Sequence, residues 1–298
     1  MNKTAFVFPG QGSQSVGMGK DLFERYSGTT DVLSAADEFL GFDIRDLCLN
    51  GPEERLNQTR NTQLAMFVVN HLAGCMLKEK NVFPGLVLGH SLGEYNAIVT
   101  AGVVGFKEAL RLVQTRADLM QKAASVSPGK MIAVLGLDSD IAEKVATGNG
   151  TYIANYNCPG QVVLSGEEAK IGLTARALEK AGAKRVVELN VSGAFHSPIM
   201  QPAAEEFSKH LDMVAFEDAE IPVISNFTGS ASMDKDEIKN ALRQQMTGSV
   251  RWQTSVGTAL SQGVNEFVEA GSGKVLSGLI KRITADNEKV MILSVNDY

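Results

Sequence analysis

The stretch Gly89-His-Ser-Leu-Gly93, placed at the end of a short apolar run, constrains this chain more than any other. Residues 86–88 read as a buried strand, the pattern breaks at the glycines, and a helical pattern continues through residue 101, which matches the G-x-S-x-G elbow. Such a corner strains Ser91 and exposes its hydroxyl, while the flanking glycines permit close packing. The helix beginning near Leu92 then offers unpaired N–H groups to an anion forming beside the serine. An ordinary glycine-rich turn with an exposed serine fits the same five residues, so the choice depends on what the rest of the chain supplies.

At 298 residues the chain can bury a large core, as one domain or as one domain carrying an insertion. No apolar run reaches the ~20 residues needed to span a bilayer, and the first residues enter a strand-like run without a signal-peptide layout. A cytoplasmic protein with no membrane association is expected. A net charge of -6 excludes a general nucleic-acid binder, which needs a dominant basic field. Cys48, Cys75 and Cys158 are widely spaced and form no C-x-x-C, so neither a disulfide framework nor a metal site is expected.

Residues 4–8 read as a first buried strand that enters the glycine-rich loop Pro9-Gly-Gln-Gly-Ser-Gln14. The loop lacks the order of a nucleotide P-loop. It is either a tight connection or the source of a second oxyanion donor near Gln11. Residues 62–77 form a longer helix containing His71, which reads as a core histidine without an acid or metal partner. On the helix of residues 106–123, Ala109, Leu110, Leu112, Val113, Ala117, Leu119 and Met120 share one arc at 100° per residue. Arg116 lies in the middle of that arc. A guanidinium turned inward needs an anionic partner, either an internal Asp or Glu or the carboxylate of a substrate.

Ser127-Pro-Gly129 marks a boundary, after which the pattern reads β-α-β-β-α-β, the order of a ferredoxin-like unit. The fold expected is α/β: a large subdomain with a parallel sheet, built from residues 1–126 and 193–298, interrupted by a small subdomain of residues 127–192. Asn155 and Asn157 fall between the two middle strands of the insert, where turn chemistry accounts for them; a substrate role for Asn155 is the second reading. His196 follows the insert on a connecting loop, Ser192-Gly-Ala-Phe-His196, where a cleft is expected. Of the four histidines, His90 precedes the serine on the far side of the strand path and His210 ends a helix, which leaves His196 as the base. Residues 264–269 read as the last strand of the main sheet.

Phe8-Pro-Gly-Gln-Gly-Ser-Gln14, Gly89-His-Ser-Leu-Gly-Glu-Tyr95, Arg116 and Gly193-Ala-Phe-His-Ser197, in this order, resemble the malonyl-CoA:acyl carrier protein transacylases. The resemblance covers essentially the whole chain. It implies a hydrolase-like large subdomain with a ferredoxin-like insert, Ser91 as nucleophile, His196 as base, and the Gln11 and Leu92 amides as oxyanion hole. It further implies Arg116 on the malonyl carboxylate and the backbone carbonyl of Gln244 orienting His196. Malonyl-CoA and acyl carrier protein are the implied partners, with no cofactor and a monomeric chain. Two departures concern loop shape: no proline precedes Val250-Arg-Trp252, and Ser272 stands where proline is common.

Two-step transfer through a Ser91 ester follows from this set. A thioester hydrolase of the same fold, a discrete transferase serving a polyketide synthase, and a non-catalytic acyl-binding protein are the competing readings. Phe195, next to the base, is expected to limit room at the acyl α-carbon. An acidic carrier meeting an acidic protein needs a local basic patch, for which Lys184, Arg185, Lys281 and Arg282 are the clustered candidates.

Overall fold

The computed structural model describes residues 3–191 and 193–298, so Ser192 in the loop before His196 lies outside the described residues. Strand β1 (Thr4–Phe8) is buried at every position. Its alternation sends Ala5 and Val7 into one apolar layer with Leu86, Leu88 and Phe267, and Phe6 and Phe8 into another with Val87 and Phe67. A strand covered on both faces is the parallel-sheet pattern, which the run of apolar residues in β1 encodes directly.

From β1 the chain passes through α1 (Lys20–Arg25), α2 (Thr29–Leu40), α3 (Ile44–Asn50), α4 (Glu53–Leu56) and α5 (Thr59–Glu79) to β2 (Leu86–Gly89). After β2 come α6 (Gly93–Thr100) and α7 (Phe106–Val126). A second unit follows: β3 (Gly129–Leu135), α8 (Ser139–Gly148), β4 (Tyr152–Cys158), β5 (Gln161–Glu167), α9 (Glu168–Lys180) and β6 (Arg185–Glu188). The chain then adds α10 (Gln201–Met213), β7 (Val223–Ile224), β8 (Ala231–Ser232), α11 (Lys235–Gln245), α12 (Trp252–Ser261), β9 (Glu266–Glu269), α13 (Val275–Ile283) and β10 (Met291–Ser294).

The main sheet has the order β10-β9-β1-β2-β7-β8, parallel except for β8, which pairs antiparallel with β7. The chain leaves β1 toward β2 on one side, whereas the neighbouring β9 leads away to β10 on the other, so the connections after these two strands run in opposite directions. A crevice therefore opens beyond the carboxyl ends of its strands, the place where open α/β sheets bind ligands. No helix among the described residues is long and apolar enough to cross a membrane.

The four strands of the second sheet are antiparallel in the order β4-β5-β3-β6, the neighbour relations of a ferredoxin-like unit. Ile132, Val134, Leu164, Ile171 and Leu178 form its own apolar layer. Two sequence expectations are corrected here. The connection between the middle strands is shorter than expected, because β4 continues through Asn155 and Asn157 to Cys158. Pairing on both sides overrides turn propensity there: β4 meets β5 through shifts in register, and the Tyr156 N–H donates to the Val250 carbonyl at 2.9 Å. The main sheet also does not end at β9, since β10 adds a further parallel strand, Met291↔Glu266 to Ser294↔Glu269.

Candidate active site

Ser91 stands two residues beyond β2 with φ of 52°, in the left-handed region that non-glycine residues rarely occupy. The glycines on either side make this corner possible. A Cβ on Gly89 would lie 2.0 Å from the Gly93 carbonyl carbon, and one on Gly93 would lie 2.0 Å from the Phe8 carbonyl oxygen. Only glycine lets α6 start directly against the ends of β1 and β2. Asn226, just past β7, brackets the corner: its Oδ1 accepts from the Ser91 N–H at 2.6 Å and its Nδ2 donates to the Gly89 carbonyl at 2.5 Å. Sequence reasoning missed Asn226, because its link to residues 89–91 exists only once β7 pairs with β2.

His196 also has a positive φ, 56°, and its Nε2 lies 2.8 Å from Ser91 Oγ. Its Nδ1 lies 2.9 Å from a backbone carbonyl, that of Gln245 and not of Gln244 as expected. The reason is the register at the end of α11. The Gln244 carbonyl already accepts from the Gly248 N–H at 2.9 Å, whereas Gln245, as the last helical residue, leaves its carbonyl free for the imidazole. With Nδ1–H donating to that carbonyl, the Nε2 lone pair faces the serine hydroxyl. Burial, followed by the charge of Arg116, pushes the imidazole pKa down to about 3, which keeps the ring neutral at neutral pH.

Arg116 is 1% exposed and projects from α7 to the same point. One guanidinium nitrogen donates to Gln63 Oε1 at 2.6 Å, and the other donates to Ser91 Oγ and to Gln245 Oε1, each at 3.0 Å. The Tyr95 ring lies 5.5 Å from the guanidinium carbon. All three hydrogen-bond partners are neutral, and no ion pair to Arg116 occurs among the described residues. Glu94 is reached only through the Gln245 side chain, whose Nε2 donates to it at 2.6 Å. Desolvation lowers the guanidinium pKa, as a buried cation without a direct counter-ion requires. Gln63 was not foreseen, although a buried glutamine on the mostly apolar α5 was the available signal.

Gln11, Leu92, Asn155 and Phe195 line one narrow cavity of about 90 Å³ with Ser91, Arg116 and His196. The N–H groups of Gln11 and Leu92 have no acceptor among the described residues. Gly10 allows the first loop to come this close, since a Cβ there would lie 2.4 Å from the His90 carbonyl oxygen. His90 itself turns to Asn157 Oδ1 at 3.0 Å and packs against Trp252. His71 stacks on Phe106 with ring centroids 4.4 Å apart, and burial pushes it down to about 4. Among the described residues, no group of three His, Cys, Asp or Glu side chains is placed to hold a metal ion.

The four basic docking candidates are exposed, and Lys184, Arg185 and Arg282 lie at one end of the second sheet. Arg282 hydrogen-bonds Gln161, which pairs with Leu135, which pairs in turn with Arg185 on the next strand. That places Arg185 and the Arg282 contact roughly 10 Å apart, two strand spacings.

A strained serine, a neutral imidazole and two free N–H groups around one cavity define a serine enzyme of the acyl-transfer class. Comparison narrows the class. The acyl transferase domain family matches residues 5–292. The malonyl CoA-acyl carrier protein transacylase of Bacillus subtilis (strain 168) is 39% identical over 302 residues, covering 100% of this chain and 94% of that protein. The acyl carrier protein S-malonyltransferase of Vibrio cholerae superposes with a TM-score of 0.93 at 39% identity, covering 98% of this chain and 96% of that one. A malonyl-transacylase solved with a type II PKS acyl-carrier protein gives 0.92 at 37% identity, with 98% and 94% covered. The chain belongs to the acyl transferase family and, within it, to the malonyl CoA-acyl carrier protein transacylases.

Proposed function

We propose that this enzyme carries a malonyl group from malonyl-CoA to the phosphopantetheine thiol of acyl carrier protein through an ester on Ser91, supplying extender units for fatty acid synthesis. The observation that carries this reading is the Arg116 guanidinium, buried with no carboxylate in direct contact among the described residues and 3.0 Å from Ser91 Oγ. A substrate whose thioester carbonyl sits at the serine and whose free carboxylate lies just beyond fits that charge, and Arg's planar fork can grip it bidentately. The names of the relatives point to the same substrate and carrier.

In the first half-reaction Ser91 passes its proton to His196 Nε2 as Oγ attacks the thioester carbonyl. The Gln11 and Leu92 N–H groups receive the oxyanion. Collapse breaks the C–S bond, and the CoA thiolate leaves with the proton held by His196. In the second half the carrier thiol gives its proton to His196 and attacks the ester, and Ser91 departs with that proton. Following radiolabelled malonyl-CoA mixed with holo carrier protein tests this. Label is expected on the carrier, whereas release of free malonate alone would mark a hydrolase.

Acylation should persist into acid. An imidazole of ordinary pKa near 6.5 would lose about 15-fold of its neutral form between pH 6.5 and pH 5. With His196 held near 3, the rate of Ser91 acylation should change by less than about 2-fold over that interval. Rapid-quench measurement at both values checks this.

Docking should be electrostatic. Reversing the charge of Arg185 together with Lys281 is expected to raise KM for carrier protein while leaving KM for malonyl-CoA unchanged. Unaltered carrier kinetics would remove Lys184, Arg185, Lys281 and Arg282 from the docking surface.

A further inference from the structure

Behind the catalytic pocket a second cavity, of about 460 Å³, lies against the β7–β8 hairpin and α11, and Glu94 forms part of its wall. Glu94, in the first turn of α6, is 1% exposed, and no step of the acyl transfer described above uses it. Its Oε2 accepts from Gln245 Nε2 at 2.6 Å and from the Asn226 N–H at 3.3 Å. The Gln245 side-chain amide therefore has the carboxyl on one side and Arg116, at 3.0 Å, on the other. The same residue also holds His196 through its backbone carbonyl.

The titratable groups facing Glu94 are few. They are Arg116 from α7, Tyr95 from its own helix, His196 from the loop beyond the second sheet, and Glu237 of α11 across the cavity. Of these, only Arg116 is a cation. In the empty enzyme the counter-charge of Arg116 is thus Glu94, one amide away. A malonyl carboxylate on Arg116 takes over that role and leaves a second anion nearby in a buried volume, which disfavours the charged form of Glu94.

We propose that Glu94 is a positioning residue that takes up a proton when a malonyl group occupies Ser91 and returns it when the group leaves, with the cavity between the β7–β8 hairpin and α11 as the proton's route. The proposal rests on the reading of Arg116 as the anchor of the malonyl carboxylate. The ordinary position of this carboxyl is compatible with such an exchange, since burial pushes it up to about 7 against the opposing effects of Gln245, Asn226 and Arg116. The coupling gives the pocket an acyl preference beyond a fixed charge: an acetyl group brings no anion and so moves no proton.

The test is proton uptake in lightly buffered solution at pH 7.5, read with an indicator dye while intact mass counts the ester. Wild-type enzyme mixed with malonyl-CoA should take up a substantial fraction of a proton, up to about three quarters, per ester formed at this pH. Acetyl-CoA should give none, and the released CoA thiol contributes equally to both. Glu94→Gln, whose side-chain oxygen still accepts from Gln245, should abolish the uptake. A protonated-carboxyl C=O band should appear in the infrared difference spectrum of malonylated wild type and shift when glutamate is 13C-labelled. KM for malonyl-CoA should rise above pH 7 by up to about tenfold per unit, with no such rise for acetyl-CoA. Ester formation with neither uptake nor the infrared band overturns the proposal, as does uptake that persists in Glu94→Gln. Should that variant not fold, the labelled wild-type band decides. Absence of any malonyl ester would instead overturn the Arg116 reading, and the proposal with it.

Discussion

Ser91→Ala should cost at least ~10³-fold in malonyl transfer, because no other group in the cavity can form the ester through which both half-reactions pass. Folding should survive the change, since the corner is held by Gly89, Gly93 and the Asn226 amide rather than by the hydroxyl. Serine already carries the strain of the positive φ at this corner, so alanine adds little to it and only a small change in stability is expected. Malonyl transfer near the wild-type rate would remove the ester mechanism altogether.

Arg116→Ala should divide the substrates. Truncating one member of a desolvated charge pair costs roughly 2 to 5 kcal/mol, part of it from the charge left behind. At about 1.4 kcal/mol per decade this is about 30-fold to several thousand-fold in kcat/KM for malonyl-CoA. Acetyl transfer should fall far less, or rise, because an acetyl group carries no carboxylate for the guanidinium to hold. His196 is expected to stay in place: Gln245 loses one partner but keeps its bonds to the Ser91 carbonyl at 2.9 Å and to Glu94. Comparing kcat/KM for both thioesters, with circular dichroism to establish folding, separates the roles. Equal losses for both would make Arg116 a structural residue of the pocket.

What the sequence made legible follows the range of each constraint. The corner at Ser91 is local, set by glycines two residues away on each side, so five residues sufficed to locate it. Arg116 was legible because helical periodicity places a residue on an arc before any tertiary contact is known. The ferredoxin-like order of β3 to β6 was likewise readable from local patterns. Gln245 was missed by one position because which carbonyl is free at the end of α11 depends on where the helix stops and where the Gly248 N–H turns back. Asn226 and Glu94 were not foreseen as parts of the site, since their partners are 137 and 151 positions away and local spacing carries no trace of such contacts. The extension of β4 through Asn155 and Asn157 was hidden for a related reason: their turn propensity is a local signal, and the pairing with β5 and Val250 that defeats it is not.

Ser91 is expected to hold a malonyl group that the carrier thiol then removes. Intact-mass measurement tests it most directly, with the enzyme mixed first with equal malonyl-CoA and acetyl-CoA and then with holo carrier protein. A single malonyl adduct is expected, absent in Ser91→Ala and discharged onto the carrier within the turnover time. An unmodified chain, an adduct that forms on Ser91→Ala, or a malonyl ester that the carrier cannot remove would contradict it.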